Sequence, residues 1–146
     1  MADTGGLDIA VHDGDLPPEA ETVDAGLGAF NDAAAPLHEV RRLACIAREG
    51  GEVVGGAVGR RWGRCGEIQQ LWVAESHRGR GIGSQLVRAF EQRAAELGVR
   101  HFYLETLSFQ APGFYETLGY RRAYALDVYP HGYVKYLMRR DLDETG

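Results

Sequence analysis

A glycine-rich segment with two arginines, residues 78–84 (Arg-Gly-Arg-Gly-Ile-Gly-Ser), has the composition of an anion-binding loop. Apolar residues recur at helical spacing directly after it, which predicts that the segment leads into a helix. The first N–H groups of a helix have no partner within the helix, and the helix dipole is positive at that end. The predicted first turn contains no Asp or Glu, and the next acidic residue is Glu91. The segment therefore predicts binding of an external anion, for which a pyrophosphate is suitable.

The segment departs from two other phosphate-binding patterns. A dinucleotide fingerprint beginning at Gly79 requires a glycine at position 84, where the chain has Ser84, and it belongs to an opening strand–helix–strand unit. A Walker-type loop requires Gly-Lys-Ser or Gly-Lys-Thr, which the segment lacks. A flexible surface loop with incidental arginines is the remaining alternative.

The elements around this loop predict a mixed α+β domain. Three strands separated by glycine-containing turns are expected to form an antiparallel meander, at about 43–48, 53–62 and 66–74. The helix after the loop ends near Gly98, and a strand, a short helix and a closing hairpin follow at about 100–106, 112–117, 120–128 and 134–139. The strand–helix–strand crossover should make its two flanking strands parallel. The loop then lies where a strand ends, a position that ligands favour in such sheets.

The N-terminal 39 residues carry no motif. Residues 1–7 are small and polar and are expected to be frayed, whereas Leu7–Val11 alternates apolar and polar residues and predicts a first strand. A helix is expected to begin after Pro17-Pro18 and to run to about Phe30. With 146 residues in all, residues 1–146 are interpreted as one domain.

Two motifs together make the sequence similar to the GNAT superfamily of acetyltransferases. Arg78, Gly81 and Gly83 match the family pattern Gln/Arg-x-x-Gly-x-Gly/Ala, and residues 111–120 resemble its second signature, an aromatic-Tyr pair followed by Leu-Gly-Tyr. The resemblance covers about residues 40–142, with the motifs in the family's order and at its separations. Residues 108–115 and 127–130 resemble a bacterial subgroup of small, single-domain GNAT proteins. The resemblance implies a GNAT-like fold, with a mostly antiparallel central sheet, a strand–helix–strand crossover and flanking helices.

Acetyl-CoA is the co-substrate that the resemblance implies. In the family the loop amides bind the pyrophosphate of coenzyme A, and the main chain of the preceding strand binds the pantetheine arm. Many members have Asn seven residues before the signature Tyr, where this chain has Ser108, which can also donate and accept a hydrogen bond. Carried over residue by residue, the cofactor-binding set is Leu71, Trp72, Val73, Arg78, Gly79, Arg80, Gly81, Ile82, Gly83, Ser84, Ser108, Ala111 and Phe114.

Acetyl transfer to an amine also requires a base for the amine and an acid for the departing thiolate. Tyr115 stands where the family places a tyrosine near the thioester sulfur, and a phenol with a pKa near ~10 can donate a proton at neutral pH. Two glutamates are alternative bases. Glu67 lies fourteen positions before Gly81, the spacing of the catalytic glutamate in the histone-acetylating branch, and Glu105 lies near the end of the following strand. Some family members use water chains instead.

Composition limits the partners. Sixteen Lys and Arg against 21 Asp and Glu give a net charge of −5, which disfavours nucleic acid and anionic membranes as partners. The five histidines and two cysteines have no metal-ligand spacing, so no metal is expected. With two cysteines and no apolar export signal, a cytoplasmic location is predicted. Homodimers are common in the family that the sequence resembles.

The function predicted for the chain is acetyl-CoA-dependent N-acetyltransfer to a primary amine of a small molecule or peptide, by direct attack in a ternary complex. The acceptor stays open among free amino acids, polyamines, aminoglycoside-like antibiotics and protein amines. The first alternative is a non-catalytic acyl-CoA-binding or regulatory module on the same fold, because a fold does not fix a function. A small nucleotide-binding interaction domain is the second.

Overall fold

The computed structural model describes residues 5–143, which divide into two compact units, one ending at His38 and one beginning at Glu39. In the first unit, helix α1 spans Ala20–Ala34. It runs four residues beyond the predicted end because the break comes at Pro36. A proline disfavours helical dihedrals in the residue before it, and Ala35 is extended, with φ −146° and ψ 153°.

Residues 7–13 have no regular secondary structure, so the first strand predicted at Leu7–Val11 is wrong for this structure. Alternating apolar and polar residues indicate which side of a strand each side chain would face. A strand also needs a neighbour in a hydrogen-bonded ladder, and the alternation carries no information about such a neighbour.

The second unit is a six-stranded sheet with two helices. Its strand order is β1-β2-β3-β4-β6-β5, and every neighbouring pair is antiparallel except β3 and β4, which flank the crossover. The predicted α+β fold is therefore confirmed. In chain order the elements are β1 Arg41–Glu49, β2 Glu52–Trp62, β3 Cys65–Val73, α2 Ile82–Glu96, β4 His101–Leu107, α3 Pro112–Thr117, β5 Arg121–Leu126 and β6 Lys135–Asp141.

Strands β3 and β4 pair over only three residues and then separate. The last paired residues are Glu67 and Tyr103. Just beyond this point β3 contains a bulge, because Val58 pairs with Gln70 and Gly59 pairs with Ile68, which leaves Gln69 as the extra residue. A bulge bends its strand and ends regular pairing. The two strands open into a cleft at the bulge, from Ile68 onward.

Glycine is required at position 59 beside this bulge. A Cβ atom built there would overlap the carbonyl oxygen of Glu67 and touch the ring of Phe90. Only a residue without a side chain lets β2 approach β3 this closely. Gly59 is therefore a glycine of β2 on which the bulge in β3 depends.

Helix α2 covers one face of the sheet, and its packing forms the core. Phe90 and Val87 of the helix are fully buried, as are Phe102 and Met138 of the strands beneath. The helix ends at the predicted glycine: Gly98 has φ +102°, its N–H donates to Ala95, and the N–H of Val99 donates to Ala94. These two bonds form a Schellman motif, which satisfies the last helical carbonyls and directs the chain into β4.

A buried carboxylate joins α2 to the C-terminal half of the sheet. Glu91 is 4% exposed. One of its oxygens accepts from Arg88 at 2.8 Å and lies 3.2 Å from Arg140 of β6, and the other accepts from the Tyr120 hydroxyl at 2.8 Å. A buried charge is tolerated when it is paired and fully hydrogen-bonded. Because the Tyr120 ring contacts that of Tyr115 edge to face at 6.0 Å, this network also fixes α3.

Candidate active site

A groove of about 400 Å³ runs along the end of β3 and over the N-terminus of α2. Gly81 caps the helix in the left-handed region at φ 78°, and no side chain caps the free N–H groups of the first turn. The first turn contains no acidic residue. These donors are therefore available to an anion in the groove, as the sequence predicts. The lining residues are Leu71, Trp72, Val73, His77, Arg78, Gly79, Gly81, Ile82, Gly83, Ser84 and Phe114.

Three glycines shape this groove in two different ways. Gly79 and Gly81 have φ values of +76° and +78°, which favour glycine because other residues are strained there. Gly83 provides space: a Cβ atom there would lie 3.3 Å from the ring of Phe114 and 3.8 Å from Val73, so the ring would have to shift by a few tenths of an ångström. A pyrophosphate-sized anion fits this arrangement of uncapped N–H groups and close backbone approach.

The two loop arginines have different surroundings. Arg78 lines the groove, and its Nε donates to the carbonyl of Val73 at 3.2 Å. Arg80 does not line it; its guanidinium donates to Glu49, at the end of β1, at 2.9 Å. Glu49 also lies 3.2 Å from His77, and hydrogen bonds from Arg80 and His77 lower the pKa of its carboxyl. The structure thus places Arg80 in a link between the loop and β1.

A second cavity, the splayed cleft, adjoins the groove. It has a volume of about 250 Å³ and lies where β3 and β4 separate. Leu71 lines both cavities, and the consecutive residues Phe114 and Tyr115 of α3 face one cavity each, with their rings 5.1 Å apart. The residues lining the splayed cleft are Ile68, Gln69, Gln70, Leu71, Glu105, Thr106, Gln110 and Tyr115.

Tyr115 is positioned by α3 and is 9% exposed. Burial raises the pKa of its phenol, because the charged phenolate is disfavoured in a poorly solvated site. The hydroxyl therefore stays protonated at neutral pH and is able to donate a proton within the splayed cleft.

The two candidate bases are placed differently. Glu105 lines the splayed cleft with Tyr115; its side chain is 51% exposed, and its carboxylate lies 3.3 Å from the ammonium of Lys135. Glu67 does not line the splayed cleft, and its carboxylate accepts a hydrogen bond from Arg60 Nε at 2.8 Å. The structure consequently brings Tyr115 and Glu105 together and leaves Glu67 in an ion pair with β2.

Ser108 and Ala111 line neither cavity. The Ser108 hydroxyl accepts from the N–H of Val134 at 3.0 Å, and the Ser108 N–H donates to the carbonyl of Val134 at 2.7 Å. Ser108 therefore joins the turn after β4 to the segment before β6. Ala111 precedes α3, and its carbonyl accepts from the N–H of Tyr115 at 3.3 Å.

Sequence reasoning missed the three glutamines of the splayed cleft, Gln69, Gln70 and Gln110. The signal that could have revealed the first two is a pair of polar carboxamides between Ile68 and Leu71, in the middle of a strand. Gln110 lies in a stretch that carries the family resemblance, but nothing in its spacing assigns it a role.

Residues 5–143 include neither a candidate group of metal ligands nor a helix that could span a membrane. Residues 5–143 contain no group of three or more His, Cys, Asp or Glu side chains that could hold a metal ion. No helix within those residues is long and apolar enough to cross a membrane. Cys45 and Cys65 are both free thiols, and burial raises the pKa of each.

Comparisons with known proteins agree with this geometry. Residues 12–120 match the model of the acetyltransferase (GNAT) family. Blasticidin-S acetyltransferase from Streptomyces morookaense is 40% identical over 110 residues, which cover 75% of this chain and 79% of that protein. The chain belongs to the acetyltransferase (GNAT) family.

Solved structures extend the likeness to the whole fold. A crystal structure of an acetyltransferase from Bacillus cereus is 28% identical with a TM-score of 0.73, covering 91% of this chain and 98% of that one. Aminoglycoside 6′-N-acetyltransferase complexed with coenzyme A shares the fold at 23% identity and a TM-score of 0.61, covering 68% of this chain and 72% of that one. The protein is an N-acetyltransferase, which confirms the predicted family and enzyme class.

Proposed function

We propose that the enzyme transfers the acetyl group of acetyl-CoA to a primary amine of a small molecule or peptide, by direct attack in a ternary complex. The observation that carries this proposal is the meeting of two cavities. The groove over the α2 N-terminus and the splayed cleft adjoin at Leu71 and at the consecutive residues Phe114 and Tyr115. A thioester held in the first can thus lie beside an amine held in the second, which is the proximity that acyl transfer requires.

In this proposal the backbone holds the cofactor. The uncapped N–H groups at the start of α2 bind the pyrophosphate, with Arg78 beside them, and the main chain of Leu71–Val73 binds the pantetheine arm. Bound acetyl-CoA supplies the activated acetyl group. Arg80 contributes indirectly, because its link to Glu49 holds the loop against β1.

Two side chains of the splayed cleft handle the protons. Glu105 accepts a proton from the attacking amine, and Tyr115 donates its phenolic proton to the departing thiolate. Glu105 is half-exposed and in reach of water, and burial keeps the Tyr115 phenol protonated by raising its pKa. This assignment prefers Glu105 over Glu67, because the latter is held by Arg60 outside the splayed cleft.

Substitution of the two glutamates compares the candidate bases. Because a positioned base contributes about 10²–10⁴-fold, Glu105→Gln is expected to lower kcat/KM for the amine about 100-fold at neutral pH. Glu67→Gln should change it less than about threefold. Steady-state thiol release from acetyl-CoA measures both variants. A larger loss of kcat/KM in Glu67→Gln than in Glu105→Gln would assign the base to Glu67. Small, equal losses in the two variants would indicate that a water chain removes the proton from the amine.

The family model spans both compact units, which supports our proposal that residues 1–146 act as one domain.

The blasticidin-S acetyltransferase relative supports a small-molecule amine as acceptor. Two free thiols suit a reducing compartment such as the cytoplasm.

Calorimetric titration of the purified protein with acetyl-CoA, with NAD and ATP as controls, tests the proposal first. Selective micromolar binding of acetyl-CoA, followed by thiol release in the presence of an amine, is the expected result. Binding without turnover of any amine would favour a non-catalytic acyl-CoA-binding module. Preference for NAD or ATP would contradict the assignment of the groove.

A further inference from the structure

The turn after β4 holds one side chain of the splayed cleft in a fixed orientation. The N–H of Gln110 donates to the carbonyl of Leu107 at 2.8 Å, and the N–H of Leu107 donates to Gln110 Oε1 at 2.7 Å. The Thr106 hydroxyl lies 3.4 Å from the same oxygen. Gln110 therefore bonds to Leu107 twice, once as a donor through its backbone and once as an acceptor through its side chain. These bonds leave the carboxamide little freedom to rotate.

The chemistry of this turn decides which end of the carboxamide stays available. A backbone N–H can only donate, so the atom of Gln110 that it contacts is the oxygen and not the nitrogen. The Nε2 group, with its two donors, makes no hydrogen bond to any group among residues 5–143. Gln110 lines the splayed cleft beside Tyr115, so this NH₂ is a ready-made donor for a molecule bound there.

The rest of the splayed cleft also favours neutral hydrogen-bonding groups. Two further glutamines, Gln69 and Gln70, belong to the lining. Glu105 is the sole charged residue in the lining, and it already lies 3.3 Å from Lys135. A polycation would therefore meet a single carboxylate that a lysine already partly neutralises. An amine that also carries a carbonyl or hydroxyl oxygen would meet several suitable partners.

We propose that Gln110 determines acceptor specificity by donating a hydrogen bond from Nε2 to an oxygen of the acceptor, which selects small amines with a nearby carbonyl or hydroxyl group over polyamines. This inference rests on the proposed acetyltransfer. It concerns the acceptor and not the cofactor, because Gln110 lines the splayed cleft and does not line the groove over α2.

Gln110→Glu separates the donor role from the structural one. The carboxylate keeps an oxygen for the N–H of Leu107, so the turn stays closed, while both donors are lost. Glycinamide, ethanolamine, propylamine and spermidine serve as acceptors, with thiol release as the assay. With kcat/KM expressed per concentration of unprotonated amine, because the acceptors differ in basicity, the wild-type value should be at least about tenfold higher for glycinamide or ethanolamine than for propylamine. This is the discrimination expected of one well-placed hydrogen bond.

In Gln110→Glu the ratio of kcat/KM for glycinamide or ethanolamine to kcat/KM for propylamine should fall about tenfold. The Kd of acetyl-CoA should be unchanged. Using the ratio to propylamine cancels any general effect of the new charge. Gln92→Glu, the same change at an exposed position of α2 outside both cavities, should keep the wild-type ratio.

Each other outcome overturns the inference in its own way. An unchanged ratio in Gln110→Glu would leave the turn as the only role of Gln110. A matching loss of acetyl-CoA affinity would place its action on the cofactor, and a wild-type preference for spermidine would contradict the substrate class. Wild-type protein that binds acetyl-CoA but acetylates none of these or any other amines would contradict the proposed function itself.

Discussion

Gly83→Glu is expected to abolish binding of acetyl-CoA. A side chain at position 83 would meet the ring of Phe114, since even a Cβ atom would lie 3.3 Å from it, and its carboxylate would stand at the N–H groups proposed to bind the pyrophosphate. The substitution thus fills the groove and supplies a competing negative charge at the helix N-terminus. Calorimetric titration should show affinity reduced by at least about 100-fold, which corresponds to about 2.7 kcal/mol.

The same change in α1 serves as its control. Gly28→Glu adds the same charge at a glycine where a Cβ atom would meet nothing within 4 Å, and position 28 lines neither cavity. This variant should bind acetyl-CoA like the wild type. Full affinity of Gly83→Glu for coenzyme A would show that the cofactor does not use this loop, and the assignment of the groove would be wrong.

Tyr115→Phe is expected to lower kcat by about 100-fold or more while changing the Kd of acetyl-CoA less than about threefold. The hydroxyl is lost, whereas the ring and its packing against Phe114 and Tyr120 are kept. A general acid contributes about 10²–10⁴-fold, and it acts on the leaving thiolate and not on bound cofactor. Pre-steady-state or steady-state thiol release, together with calorimetry, measures the two quantities separately.

The pH dependence adds a second readout. Burial raises the pKa of Tyr115 above its usual value near ~10, so the acid stays protonated between about pH 6 and pH 9. The loss in Tyr115→Phe should therefore be constant over this range. Tyr124→Phe removes a hydroxyl from an exposed residue of β5 outside both cavities, and it should leave kcat unchanged. An unchanged kcat in Tyr115→Phe would remove Tyr115 from the mechanism.

The parts of the site that sequence predicted are those that local chemistry determines. The loop before α2 follows from glycines that need positive φ, and from a first turn without acidic residues. The span of α3 follows from Pro112 at its start and Gly119 after its end, and the structure gives Pro112–Thr117 as predicted. These signals lie within a few residues of the feature that they specify.

The features that sequence did not predict depend on residues far apart along the chain. The direction of Arg80 is set by Glu49, thirty-one residues earlier. The splayed cleft depends on a bulge at Gln69 that requires Gly59 on the neighbouring strand. Glu91 directly follows Phe90, a buried apolar residue of α2. Its carboxylate can be buried because Arg140 and Tyr120, which are distant in the sequence, contact it. The residue pattern within one helix or strand contains no information about such distant partners.

The two adjoining cavities differ in what they are made of, and this difference bears on how the enzyme can change over evolutionary time. The groove is shaped mainly by main-chain N–H groups and by glycines, which few substitutions can replace. The splayed cleft is lined by residues of β3, β4, the turn before α3 and α3 itself. Under the proposed function, a single codon change at a lining residue other than Glu105 and Tyr115 is expected to change the acceptor while the carrier of the acetyl group stays the same. A population would then acquire a new substrate without passing through an inactive ancestor.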